Sequence, residues 1–179
     1  MTTDYQIATD QLLSAIVSGE TAVANREILG PMVPIRLFQV MRLMAVGREL
    51  EAVIGGGARA LVFKAGRSVG EALGGAVKPQ AGGDLDTYVD QIQQVARALG
   101  IGLVKPTRVD LDAGELSLKV DECVSCAGIS KVSAPICHFE AGMVGGIVKV
   151  FLGRSIRAVE TKCSAIGDNT CEVAVTITG

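Results

Sequence analysis

TRVDLDAGELSLKVDEC, residues 107–123, alternates apolar and polar side chains on both sides of Asp112, Ala113 and Gly114. Successive side chains of a strand point to opposite faces, so a period of two broken by a turn-forming tripeptide predicts an antiparallel hairpin. Val109, Leu111, Leu116, Leu118 and Val120 are expected to face a core. Downstream, SIRAVETK (155–162) and CEVAVTIT (171–178) read as two more strands joined through GDNT (167–170). Between the hairpins a helix is expected from about Ala134 to Leu152, with Ser133 as its cap and Pro135 in its first turn.

Upstream the period is helical. IATDQLLSAIV (7–17) predicts a short helix, and PIRLFQVMRLMAVG (34–47) a second that starts at Pro34. In the latter, Leu37, Val40, Met41 and Met44 form an apolar stripe, with Arg36 and Arg42 off it. A third helix covers residues 58–74 and ends at Gly74 and Gly75, followed by a loop over AVKPQAGGD (76–84). Asp84 is placed to cap a fourth, closed by Gly100, whose stripe is Leu85, Tyr88, Val89, Ile92, Val95, Ala96 and Leu99. The order of helices, hairpin, helix and hairpin is met most economically by an α+β fold, an antiparallel sheet of about four strands covered by helices. One domain over residues 1–179 is expected: an N-terminal helical segment (1–30), a helical half (31–102) and a sheet half (103–179).

Composition bounds the function. The 179 residues are 49% hydrophobic but only 3% aromatic, without tryptophan, so aliphatic side chains and glycine build the interior. A net charge of -2 and the lack of a basic run leave no electrostatic footprint for nucleic acid or an anionic membrane. The longest apolar run, AGMVGGIVKVFLG (141–153), is interrupted by Lys149 and falls short of the roughly 20 residues of a membrane span. The N-terminus has neither a basic nor an apolar signal region, and a cytoplasmic location is the expectation.

Five cysteines and one histidine hold most of the distinctive chemistry. Cys171 shares strand parity with Val173, Val175 and Ile177, which starts its sulfur on the apolar side. Cys163 ends the preceding strand, and Gly167, Asp168 and Asn169 between the two tolerate tight turning, so the sulfurs can meet. Glu160 has the opposite parity to Cys163 and joins them only if the strand bends near Thr161 or Lys162. Cys137 is expected in the first turn of the helix after Ser133, where a helix N-terminus favours thiolate. One carboxylate and three thiolates suit four-coordinate zinc, whereas small buried hydrophobes are the commonest fate of free cysteine. Spacing alone leaves these two readings level.

ECVSC (122–126) adds Cys123 and Cys126 in a C-x-x-C spacing, a rival metal pair that also keeps a redox or iron-sulfur reading open. His138 adjoins Cys137, but neighbours on a helix point about 100° apart, so both cannot readily face one ion. No second histidine supports a protease-type relay, and GRSVGEALGG lacks the lysine and hydroxyl of a phosphate loop. Gly142, Gly145 and Gly146 are expected to permit close packing on the sheet.

VDECVSCAG, PICHFEAGMVGGIVKVFLG and VETKCSAIGDNTCEVAVTI together resemble the 4-vinyl reductase domain family, over residues 115–177. The family is similar in fold to subunits of the TRAPP vesicle-tethering complex and to ligand-binding domains of signalling proteins. Its phenol-sensing members hold zinc with a cysteine, a glutamate and two cysteines, which the resemblance places at Cys137, Glu160, Cys163 and Cys171. It also implies a small hydrophobic ligand, an aromatic, lipid or tetrapyrrole, between helices and sheet, with Leu37, Val40, Met41, Met44 and Phe63 as candidate walls. Three functions follow: a ligand-binding sensor, carrier or accessory protein with structural zinc, a vinyl reductase of the bacteriochlorophyll pathway, and an assembly protein. The first is preferred, because no nicotinamide or flavin motif supplies hydride. A homodimer is expected through the N-terminal helical region, since an isolated helix below roughly 12–15 residues is marginal in water and must dock.

Overall fold

The computed structural model describes residues 3–20, 26, 28–29 and 32–179, so the N-terminal segment expected to reach residue 30 is described only in part. Helix α1 (Asp4–Ser18) is capped by the Thr3 hydroxyl, which accepts from the Gln6 amide at 3.2 Å, and stops at Gly19 in the left-handed conformation. It lies against α4 (Gly57–Ala81) and buries no residue of its own. Helix α2 (Ile35–Gln39) runs through a π-helical segment (Val40–Arg48) into α3 (Glu49–Ile54). Helix α5 (Leu85–Ala98) begins where Asp84 accepts from the Thr87 amide at 2.8 Å, as its sequence predicts.

Helix α4 runs through Gly74 and Gly75 to Ala81, with Pro79 inside its last turns. The residues read as a stop and a loop are helix, because Gly74 serves packing: a Cβ there would meet the Tyr88 hydroxyl at 2.5 Å and Val150 at 3.3 Å. The reversal comes instead at Gly82 and Gly83, both at positive φ.

Among the described residues the strands form one antiparallel sheet in the order β1 (Leu103–Asp110), β2 (Glu115–Asp121), β4 (Cys171–Ile177), β3 (Ile156–Lys162). Helix α6 (His138–Leu152) crosses its apolar face. Ala141, Val144 and Val148 pack there on Leu116, Ile156, Ala158, Val173 and Val175, each buried valine, leucine or isoleucine contributing about 1.5–3 kcal/mol. The opposite face is solvated, as the alternation requires. Val109 and Leu111 are not core: they are 48% and 43% exposed, Val109 near the end of edge strand β1 and Leu111 in the turn that follows it.

Helix α4 packs on α6 from the side away from the sheet. Gly142 and Gly146 face α4, where a Cβ would collide with the backbones of Phe63 and Arg67, and of Arg67 and Glu71, respectively. Gly66 and Gly70 answer them against the Phe139 and Met143 carbonyls. Only Gly145 of the expected trio meets the sheet, at Ala158 and Ile156.

Candidate metal centre and ligand cleft

Three local devices bring the cysteines together. Strand β3 slips register against β4 between Glu160 and Lys162, a bulge at the place where the parity of Glu160 and Cys163 demands one. Past it, the Cys163 amide donates to Asp168 Oδ2 at 2.8 Å, which folds the loop back toward β4 through Gly167 at positive φ. The turn after β2 closes through amides of Cys126 and Ala127 donating to the Cys123 carbonyl. Gln39 holds that turn from outside, its side-chain amide donating to the Val124 and Ala127 carbonyls at 3.0 Å each.

Helix α6 starts at His138, not Ala134, with Cys137 as its cap residue. Ser133 does not cap it, because the Cys137 amide is engaged by Glu160 Oε2 at 3.0 Å and the helix opens only after that bond. All five sulfurs converge at 3% exposure or less. Separations are 3.6 Å for Cys123 and Cys137, 3.3 Å for Cys126 and Cys171, 3.8 Å for Cys137 and Cys163, and 4.0 Å for Cys137 and Cys171. Two quartets have donor atoms mutually within 4.8 Å: Cys137, Glu160, Cys163 and Cys171, and Cys123, Cys126, Cys137 and Cys171.

The electrostatics favour a cation. Burial pushes the Glu160 carboxyl up to about 7 and the Cys163 thiol up to about 12. Cys171 is held far below the ordinary thiol range by hydrogen bonds from Cys123, Cys126 and Cys137, while Cys137 is driven up, first by its bond with Cys123. Cys126 is lowered to about 7, first by Cys123. A buried set of this kind supports few thiolates by itself, since like charges oppose one another, and a dication removes that opposition. Glu160 Oε1 is buried without a hydrogen-bond partner among the described residues, which leaves it as the oxygen free for an ion. Carboxylate and thiolate donors in fours fit zinc. His138 Nδ1 stands 3.9 Å from Glu160 Oε2, beside the cluster and outside both quartets, and burial keeps its pKa low and the ring neutral.

The expected ligand wall is arranged otherwise. Leu37, Val40, Met41 and Met44 are 49%, 54%, 59% and 49% exposed, while Gln39 and Arg42 turn inward. The four do share one face, but it points outward from Leu37 in α2 onward, because the inward face is the one whose Gln39 amide satisfies the Val124 and Ala127 carbonyls. Phe63 packs against the α6 and sheet core. An apolar cleft lies instead between α5, α6 and the β1–β2 hairpin, in two lobes of ≈ 60 and ≈ 40 Å³ that share Ile92, Val104, Leu118 and Ile147. Val109 and Leu111 stand on the first lobe, and Glu140 lines the second. Glu140, 3% exposed, accepts from Ser125 at 2.5 Å, and burial raises its pKa. Sequence reading missed it, although a lone acid in an otherwise apolar helix, three residues after Cys137, is a signal.

Among the described residues, no helix is long and apolar enough to cross a membrane. The 4-vinyl reductase (V-4-R) domain family matches residues 116–177. The chain is 30% identical over 150 residues to the uncharacterized protein MJ0150 of Methanocaldococcus jannaschii, covering 83% of this chain and 79% of that one. The phenol-responsive sensory domain of the transcription activator PoxR, solved with phenol, superposes with a TM-score of 0.67 at 18% identity, over 95% of this chain and 90% of that one. A vinyl-4-reductase family protein from Methanocaldococcus jannaschii superposes at 0.64 and 17% identity, over 100% and 99%. With a relative matched along most of both chains and the family's own pattern on the strands and helix that gather the cysteines, the chain belongs to the 4-vinyl reductase domain family.

Proposed function

We propose that the chain is a binding module for a small apolar ligand, held in the cleft between α5, α6 and the sheet, and stabilised by structural zinc at Cys137, Glu160, Cys163 and Cys171. The cleft carries the reading. A cleft lined almost wholly by apolar side chains, with few polar groups, is the usual form of a small-molecule site. The ≈ 60 Å³ lobe well exceeds the roughly 10–15 Å³ that one water needs, yet its walls offer water almost nothing. Tyr88 lines it with its ring, its hydroxyl already donating to the Ile147 carbonyl at 3.0 Å. The shared fold of the PoxR sensory domain, solved with phenol, supports a ligand of aromatic size. Zinc with four protein ligands has no open position for water, so the metal's part is to fix the last hairpin to the start of α6.

Filling the void should separate binding from folding. Val104→Phe places a ring where both lobes meet and is expected to raise the melting temperature by a few degrees while abolishing uptake of phenol and naphthalene. Calorimetry and native mass spectrometry check this. Wild-type protein that takes up neither probe, or a variant that binds like wild type, would reject the cleft as the site.

The same reading includes a homodimer. Exposed apolar side chains crowd the segment from Ile28 to Leu61, among them Leu37, Val40, Met41 and Met44, and contiguous apolar surface marks association. Met41→Glu is expected to convert a dimer to a monomer in light scattering at micromolar concentration, with metal content unchanged. An intact protein that is already monomeric there removes the dimer.

A further inference from the structure

We propose that the cysteine cluster holds two metal ions, bridged by the sulfurs of Cys137 and Cys171. The proposal rests on the zinc reading above and extends it to the two cysteines that reading leaves over. The two donor quartets are not alternatives in space: they overlap in Cys137 and Cys171 alone, and their remaining donors divide two and two. Cys123 and Cys126 come from the turn after β2, Glu160 and Cys163 from the bulged end of β3. Two tetrahedra that share one edge need this arrangement of six donors. Zinc–sulfur bonds of about 2.3 Å place sulfurs on one ion about 3.8 Å apart, and the 3.3–4.0 Å separations of the cluster bracket that value.

A single ion leaves donors of the cluster unused. Four-coordinate zinc in the first quartet leaves the Cys123 and Cys126 thiols buried beside thiolates; in the second it leaves Glu160 Oε1 buried without a partner among the described residues. Two ions use every donor, because a thiolate sulfur keeps lone pairs for a second metal. The charge closes as well. One dication on four anionic donors carries a net charge of about -2, and a second dication that displaces two protons leaves that sum unchanged, so the added ion costs no further buried charge.

The experiment uses the full chain, prepared with zinc and then exchanged with cadmium-113. Native mass spectrometry should give two zinc ions per chain, and the cadmium form two resonances that split one another through the bridging sulfurs. A Cys123→Ser/Cys126→Ser variant should keep one ion and show one unsplit resonance. Two ions without mutual splitting overturn the bridge. One ion in wild type, retained in the variant, overturns the second position and leaves the zinc reading intact. One ion lost in the variant overturns both and moves the metal to the four-cysteine quartet, and no metal in wild type also overturns both. If the double variant fails to fold, the wild-type stoichiometry and splitting still decide.

Discussion

Cys171→Ser should empty the metal centre and leave a chain whose C-terminal half no longer unfolds cooperatively. Cys171 belongs to both donor quartets, so its loss leaves neither one complete. Structural zinc contributes on the order of 10 kcal/mol in small metal-dependent folds, against roughly 5–15 kcal/mol for the whole stability of a domain. Losing even half of that, about 5 kcal/mol, matches the largest packing losses at one buried side chain. If the sulfur were only a small core hydrophobe, serine would cost about 1–3 kcal/mol, and chelator would leave wild type unmoved. Metal analysis and chemical denaturation with and without chelator check the difference: a variant with full metal, or a wild type indifferent to chelation, contradicts the metal role. His138→Ala, outside both quartets, should keep its metal.

The strand half of this architecture was legible in the sequence because a period of two leaves little choice of face. Cys171, Val173 and Val175 are buried on one side, and the bend needed between Glu160 and Cys163 is present as a bulge at Thr161. What spacing does not encode is which partner a surface meets. Gly142 and Gly146 announced a close approach, but only the tertiary arrangement makes that partner α4 and not the sheet. The convergence of Cys123 and Cys126 with the other thiols depends on long-range contacts, the Val124 amide donating to the Ile101 carbonyl and Gln39 clasping the turn. The stripe at Leu37, Val40, Met41 and Met44 misled for a different reason: its residues do share a face, but the face turned inward is the one that carries Gln39 and Arg42, Gln39 being spent on the turn after β2. Arg42, off the expected stripe, is the residue that turns inward, its guanidinium 5.5 Å above the Phe139 ring.

Gly142→Val should cost about 3–5 kcal/mol, while Gly75→Ala, one helix away, should add up to about 1 kcal/mol. Both replace a helical glycine by a better helix former, alanine by roughly 1 kcal/mol and valine by a few tenths, so propensity alone would stabilise both and a loss at Gly142 reports packing. At Gly75 a Cβ meets nothing within 4 Å, and reduced freedom of the unfolded chain is what remains. At Gly142 a Cβ would enter the Phe63 carbonyl and the Arg67 amide. Backbone cannot move aside like a side chain, so α4 and α6 must part along the seam that Gly66, Gly70 and Gly146 also line. Parting them would also strain the ion pair of Glu71 with Lys149 and the bonds from the Lys78 ammonium to the Val150 and Phe151 carbonyls. Because α6 carries Cys137 at its start and one wall of the ligand cleft along its length, the damage should reach both sites, with weaker metal retention and lost probe uptake alongside the lower stability. Urea denaturation of the two variants under metal-saturated conditions measures the difference. Equal stabilities would show that the two helices have room between them, contrary to the close approach that the glycines permit.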